Sequence, residues 1–414
     1  MALTPDKTHP QLGPFSGAAL IFNSVLGAGI LVLPGLAAAK IGAQSFWSWL
    51  IAAFTVIPFL IVFSILAIRY SSAGGIIYFA QRAFGPIGKN LTLALMLGAT
   101  ILGLPSIALT GGYYLQGAFF LPAWIGACLI LITTTIANLF SVKGAARIGT
   151  YSSISVMTFL LLLVLSGGWT LYHMSSVTAL PPPTFSALSP FSLIFFAFTG
   201  WEFAPGMADN FKNPAQNFPL AMALSWLLAF FFYGLCAFII MKGGPSYWNE
   251  HPFLEVMNHI LGDRALAQKV VALGACLLIW ANLFTLIWSL SRIVSQMIPF
   301  RPLVIERNGI PFIAVTITGG TMTTIVLLTT LFAIPLSTLL SSAGMNVLLI
   351  YGITALILER TSENMVQRLT ASFAILLAVI LALQEPSHLV YPVIITAATI
   401  IVSFLNQKRT QDKQ

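Results

Sequence analysis

Charge is scarce in this chain. Only 7% of its 414 residues are Asp, Glu, Lys or Arg, against about 25% in soluble domains. So few charges exclude a water-covered globular surface. Carboxylates are rarer still, with eleven in all. Cysteine occurs three times, at Cys128, Cys236 and Cys276, each inside an apolar run. That excludes a disulfide framework and reads as buried thiols. The five histidines, His9, His173, His251, His259 and His388, fall in tails or connections, so no metal or catalytic cluster is expected inside the apolar segments. What the chain has instead is hydrocarbon: 58% hydrophobic residues and a mean hydropathy of +0.92. An integral membrane protein is the remaining class. Met1 to Pro10 are polar and no small-residue cleavage site closes a short apolar core, so the first span is expected to stay as an anchor.

A helix crossing the bilayer needs about 20 apolar residues. Twelve runs meet that need, at 13–39, 46–68, 91–115, 120–140, 148–172, 187–208, 219–241, 266–297, 312–332, 335–357, 367–384 and 388–406. The connections are short. The stretch from Lys242 to Asp263 carries Trp248, His251 and Glu255 and is expected to hold a short surface helix. With the N-terminus in the cytoplasm, fifteen of the nineteen Lys and Arg fall on that side, and only Lys40, Lys242, Arg264 and Lys269 on the other. Such a bias sets orientation and places both termini inside. The net charge of +8 is therefore topology, not a nucleic-acid footprint.

Two spans are interrupted. The run from Leu20 to Pro34 breaks at Gly27-Ala28-Gly29, and the run from Ser192 to Met207 breaks at Thr199-Gly200-Trp201, with Glu202 next. A glycine break at membrane depth is expected only where backbone lines a cavity. Two breaks, one opening each half of a many-span chain, point to the binding site of a secondary transporter. A restarted helix offers free N–H groups at its positive end, which suit a carboxylate. Freed carbonyls near Phe196 and Thr199 suit an ammonium. Together they suit a zwitterion, an α-amino acid. The competing reading of Gly-Ala-Gly is close helix packing through small residues. Phe195, Phe196, Phe198 and Trp201 are candidates to cover the site, or ordinary core.

Glu202 is the one carboxylate well inside an expected span. Intramembrane carboxylates are functional by default. It either ties the broken helices together or carries a proton. Asn23, Ser24 and Asn282 are further candidates to line the path, and Asn346 reads as packing. Thr285 and Ser289 stand at helical spacing and offer a weak sodium site, or they bond back to their own helix.

Several short motifs share one order along the chain: Gly27-Ala28-Gly29-Ile30, Ser72-Ala73-Gly74-Gly75, Thr199-Gly200-Trp201-Glu202, Lys212-Asn213-Pro214 with Phe218-Pro219, and Asn308-Gly309-Ile310-Pro311. As a set the chain resembles the amino acid–polyamine–organocation transporter superfamily, and within it the bacterial exporters of neutral amino acids of the methionine and branched-chain type. That resemblance implies an all-α fold of twelve transmembrane helices. Five helices at 13–172 and five inverted at 187–357 form the repeats, with helices one and six discontinuous. Two more helices follow at 367–406, and residues 1–12 and 407–414 are cytoplasmic tails. It also implies that the substrate carboxylate meets the amides of Gly27, Ala28 and Gly29. The amine meets the carbonyls of Val25, Phe196 and Thr199, and Phe196 serves as a gating aromatic. No cofactor is implied.

The expected function is alternating-access transport of neutral apolar L-amino acids across a bacterial inner membrane, as an exporter, by a monomer or homodimer. No Lys or Arg lies between Arg147 and Lys212, so a lysine standing in for sodium in the fifth span is absent. A proton is the expected coupling ion, with substrate exchange and sodium left open. The rivals are an importer or exchanger of amino acids or polyamines on the same fold, an intramembrane enzyme, which would need a convergent nucleophile–base pair, and a channel, which would need a continuous polar lining.

Overall fold

The computed structural model describes residues 12–26, 29–70, 74–140, 142–173, 178–261, 264–297, 310–362 and 364–411. Among them every regular element is helical, and an isolated parallel bridge pairs Leu12 with Phe211. The helices are α1 (Pro14–Val25), α2 (Gly29–Ile41), α3 (Ser45–Thr55), α4 (Ile57–Tyr70), α5 (Gly75–Phe119), α6 (Ala123–Asn138), α7 (Val142–His173), α8 (Phe191–Phe195), α9 (Pro214–Gly243), α10 (Pro252–Leu261), α11 (Arg264–Met297), α12 (Phe312–Leu331), α13 (Leu336–Thr361), α14 (Met365–Gln384) and α15 (Val390–Gln411).

Eight stretches of described helix are long and apolar enough to cross a membrane, the first taking in 29–70, and three shorter apolar helices accompany them. The protein is therefore multi-pass. Length and composition alone support fewer crossings than the twelve expected from the runs. The reason is local. The run 13–39 is cut at Leu26, whose ψ of 78° is not helical. The run 187–208 holds only the five residues of α8, then a 3-10 turn, an extended Thr199 and a 3-10 helix from Trp201 to Asn210. α6, at sixteen residues, falls short of a full span.

Other boundaries follow backbone chemistry. α5 begins well before the expected residue 91, because the amphipathic stretch after Gly75 continues into it through a bend at Gly85 (φ 67°, ψ −155°), just before Pro86. Left-handed dihedrals of this kind favour glycine. Pro214 opens α9, where its missing N–H costs nothing. The tight turn between α12 and α13 pivots on Ala333 at φ 50°. α10 supplies the short helix expected after Lys242. α13 is the most buried long helix, and α14 and α15 the least. The core is assembled from α1, α2, α4, α5, α9, α11 and α13 around the 191–211 segment.

Candidate functional site

The two interruptions meet. Gly200 adopts φ +115°, and a Cβ built on it would stand 2.5 Å from the Ser24 carbonyl oxygen and 2.8 Å from Val25 Cα. Only glycine combines that dihedral with that approach. A Cβ on Gly29 would stand 3.7 Å from Ala197 Cα, so the start of α2 also faces the second interruption. The last residues of α1 and the Thr199–Gly200 link thus cross backbone to backbone. Gly27 and Ala28 lie outside the described residues.

A cavity of about 370 Å³ opens at this crossing. It brings together Asn23, Ser24, Val25, Gly29, Phe196, Thr199, Gly200, Glu202 and Asn282. The sodium candidates Thr285 and Ser289 line it as well. Phe198 and Trp201 do not. Both are fully buried: Phe198 packs edge-on against Tyr233, and the Trp201 indole N–H donates to Ser225 Oγ at 3.0 Å. Apart from Thr100 and Tyr233, the remaining wall is apolar, with Met96, Leu97, Gly103, Leu104 and Ile107 of α5, Leu286 and Ile293 of α11, and Val347 and Ile350 of α13. Phe196 is half-buried, and its ring lies over Gly103, where a Cβ would stand 3.3 Å from it.

The polar groups at the crossing are already tied down. Glu202 is buried, and its Oε2 accepts from the Gly200 N–H at 2.7 Å and from the Tyr351 hydroxyl at 2.9 Å. Charge-assisted bonds of this kind are the stronger ones. The Tyr233 hydroxyl donates to the Val25 carbonyl at 3.0 Å. The Phe196 carbonyl accepts the Thr199 hydroxyl at 2.8 Å. The Phe196 carbonyl also accepts the Thr199 backbone N–H at 3.3 Å, so Thr199 engages both of its lone pairs. The Thr285 hydroxyl bonds back to Ala281 at 3.2 Å, and that of Ser24 to Leu20 at 3.2 Å. Asn282 Oδ1 is a buried acceptor without a partner. Asn346 is fully buried, and its amide donates to the Ser342 carbonyl at 3.2 Å. No group of three or more His, Cys, Asp or Glu among the described residues is placed to hold a metal.

Sequence reasoning missed Tyr233 and Tyr351. Both sit in runs of aromatic and aliphatic residues, where a tyrosine reads as packing. Their hydroxyls are the only local sign, since a buried hydroxyl requires a partner.

The cavity is one-sided. Its wall uses α5 from Ile77 to Ile107 and α11 from Ala281 to Ile293, the N-terminal part of one helix and the C-terminal part of the other. Ser24, Phe203, Thr285 and Ser289 are exposed there. On the opposite side α2 is sealed, with Leu31, Val32, Leu33, Ala37 and Ala38 wholly inaccessible. The Tyr114 hydroxyl closes onto the Leu31 carbonyl at 2.8 Å.

Known proteins place this architecture. The chain is 29% identical over 238 residues to the L-methionine/branched-chain amino acid exporter YjeH of Escherichia coli, a match covering 56% of each chain. It is 28% identical over 279 residues to the uncharacterized amino acid permease YecA of Bacillus subtilis, covering 65% of this chain and 64% of that one. It is 27% identical over 222 residues to the putrescine transporter PotE of Haemophilus influenzae, covering 51% of each. The chain thus spans between about half and two thirds of these relatives' lengths. The amino acid permease family model matches residues 12–413. With that match over nearly its whole length, the chain belongs to the amino acid permease family, within the amino acid–polyamine–organocation superfamily of membrane transporters.

Proposed function

We propose that this permease carries neutral apolar L-amino acids, of the methionine and branched-chain type, outward across a bacterial inner membrane by alternating access. The observation that carries the reading is the crossing of two helix interruptions at the wall of one cavity. Amides at the start of α2, with Gly27 and Ala28 beside Gly29, take the cargo carboxylate. The carbonyls of Val25, Phe196 and Thr199, with Asn282 Oδ1, take its ammonium, which displaces the Thr199 hydroxyl from the Phe196 carbonyl. The apolar wall from α5, α11 and α13 takes the side chain, and Phe196 covers it. Phe198 and Trp201 support the interruption from behind instead of touching cargo.

Glu202 is the single acid among the described lining residues, and its Oε2 is occupied by Gly200 and Tyr351. That favours a neutral cargo over a diamine, despite the similarity to a putrescine transporter. It also favours a structural task for Glu202 over proton transfer. The positive-inside bias places the open side of the cavity in the cytoplasm and both termini there, so the structure is read as inward-open. Twelve crossings in two inverted five-helix repeats (13–172 and 187–357), followed by the pair 367–406, complete the proposal. A proton is the coupling ion, and the unit is a monomer or homodimer.

Overexpression tests the direction. Cells gain resistance to toxic analogues of methionine or leucine if cargo leaves, and greater sensitivity means import. A thermal-shift screen of the purified carrier against the common amino acids identifies the cargo by linkage. No stabilisation by any apolar amino acid would remove the substrate class.

A further inference from the structure

Away from the cavity, one carboxylate gathers elements that are far apart in sequence. Glu385 follows α14 and opens the short connection to α15. It is 8% exposed, and its Oε1 lies 2.9 Å from Lys40 Nζ in an ion pair. Lys40 stands in the last turn of α2 and also donates to the Ser189 carbonyl at 3.0 Å. Glu385 Oε2 accepts from the Ser192 backbone N–H at 3.2 Å and from the Ser192 hydroxyl. Ser192 belongs to α8. In the same connection His388 Nδ1 lies 3.3 Å from Ser342 Oγ of α13. The side chain of Glu385 therefore holds α2 with one oxygen and α8 with the other, and the connection that carries it is anchored on α13.

We infer that Glu385, with Lys40 and Ser192, forms an outer latch, through which the connection between the last two helices holds both outer half-helices closed. The inference rests on the alternating-access reading above. Opening the sealed side requires α2 and α8 to leave the core, and neither leaves without breaking bonds at this one carboxylate. Removing Lys40 leaves the buried Glu385 carboxylate without its charge partner. The latch also gives α14 and α15, which lie outside the two repeats, a part in gating.

The test uses a carrier whose Cys128, Cys236 and Cys276 are replaced by alanine, with Ala38→Cys as reporter. In cells, a membrane-impermeant maleimide added outside should label the reporter about fivefold faster in Lys40→Gln and Glu385→Gln, the scale of one partly exposed ion pair. Lys40→Arg should restore the slow rate. Equal rates in all four carriers overturn the latch. Should Glu385→Gln fail to fold, Lys40→Gln decides alone, because that side chain is 43% exposed and its loss opens no cavity. In a second arm, Lys40→Cys with Glu385→Cys is bridged by a bifunctional methanethiosulfonate. Amino-acid flux should fall at least about tenfold and return on reduction, as expected when a required gating motion is blocked. Full flux through the bridged carrier overturns the latch. The two readings fail separately: absent flux in the unmodified carrier sinks transport while labelling still judges the latch, and normal flux with unchanged labelling sinks the latch alone.

Discussion

The two sides of the helix crossing are built from the same kinds of helices and differ in what fills them. On the open side Ser24, Phe203, Thr285 and Ser289 stay exposed around the cavity. On the sealed side α2 is packed dry, and its end is bonded through Lys40 to Glu385. The chain at α1 is tied to the 201–212 segment by backbone bonds, with Leu12 N–H donating to the Asn210 carbonyl at 2.8 Å and Lys212 N–H to the Leu12 carbonyl at 3.0 Å, and by the Phe211 ring packed against Gly17. The far end of α2 is held by side chains alone, so the two sides differ in a few contacts, whose balance a small free-energy difference can shift.

The largest effect is expected where the two sides share one contact. Gly200→Ala forces a side chain into a left-handed dihedral against the Ser24 carbonyl. Flux should fall by at least about a hundredfold, the scale of an ångström-sized misplacement at a reacting or binding geometry. Measured transport in proteoliposomes checks it, and near-normal flux would break the crossing. Next comes the tie that holds the second interruption. Tyr351→Phe removes the hydroxyl bond to Glu202 and should lower flux about tenfold, the scale of one hydrogen bond to a charged group. Glu202→Gln keeps the shape and an acceptor and should do less. If instead Glu202→Gln alone abolishes the pH dependence of flux, Glu202 belongs to a proton path.

Smaller still is Tyr233→Phe. It frees the Val25 carbonyl and should raise the KM for cargo about fivefold with little change in turnover, in keeping with about 1 kcal/mol for a neutral hydrogen bond. A fall in turnover at unchanged KM would place Tyr233 in gating.

The interruptions were legible because glycine and threonine cut otherwise continuous apolar runs, and lipid offers no partner for freed backbone groups. Glu202 was legible because a carboxylate within a span demands a reason. Which way Phe198 and Trp201 point was not legible. Successive aromatics in a run carry no sign of which face the cavity once the helix is broken. Tyr233, Tyr351 and Ser192 were hidden for a related reason: their partners lie on other helices, and nothing local marks a hydroxyl that reaches across. Lys40 and Glu385 were visible only as two of the few charges at span ends, 345 residues apart.

Hydrophobic run length, glycine placement and the sparse, lopsided charge determined by themselves that the chain is a many-span membrane carrier with two interrupted segments, because the bilayer taxes every unpaired polar group regardless of neighbours. Which side is open, which side chains line the cavity and which carboxylate ties which helices were decided only by tertiary packing. Those outcomes depend on distances between helices, and single-chain periodicity carries no information about them.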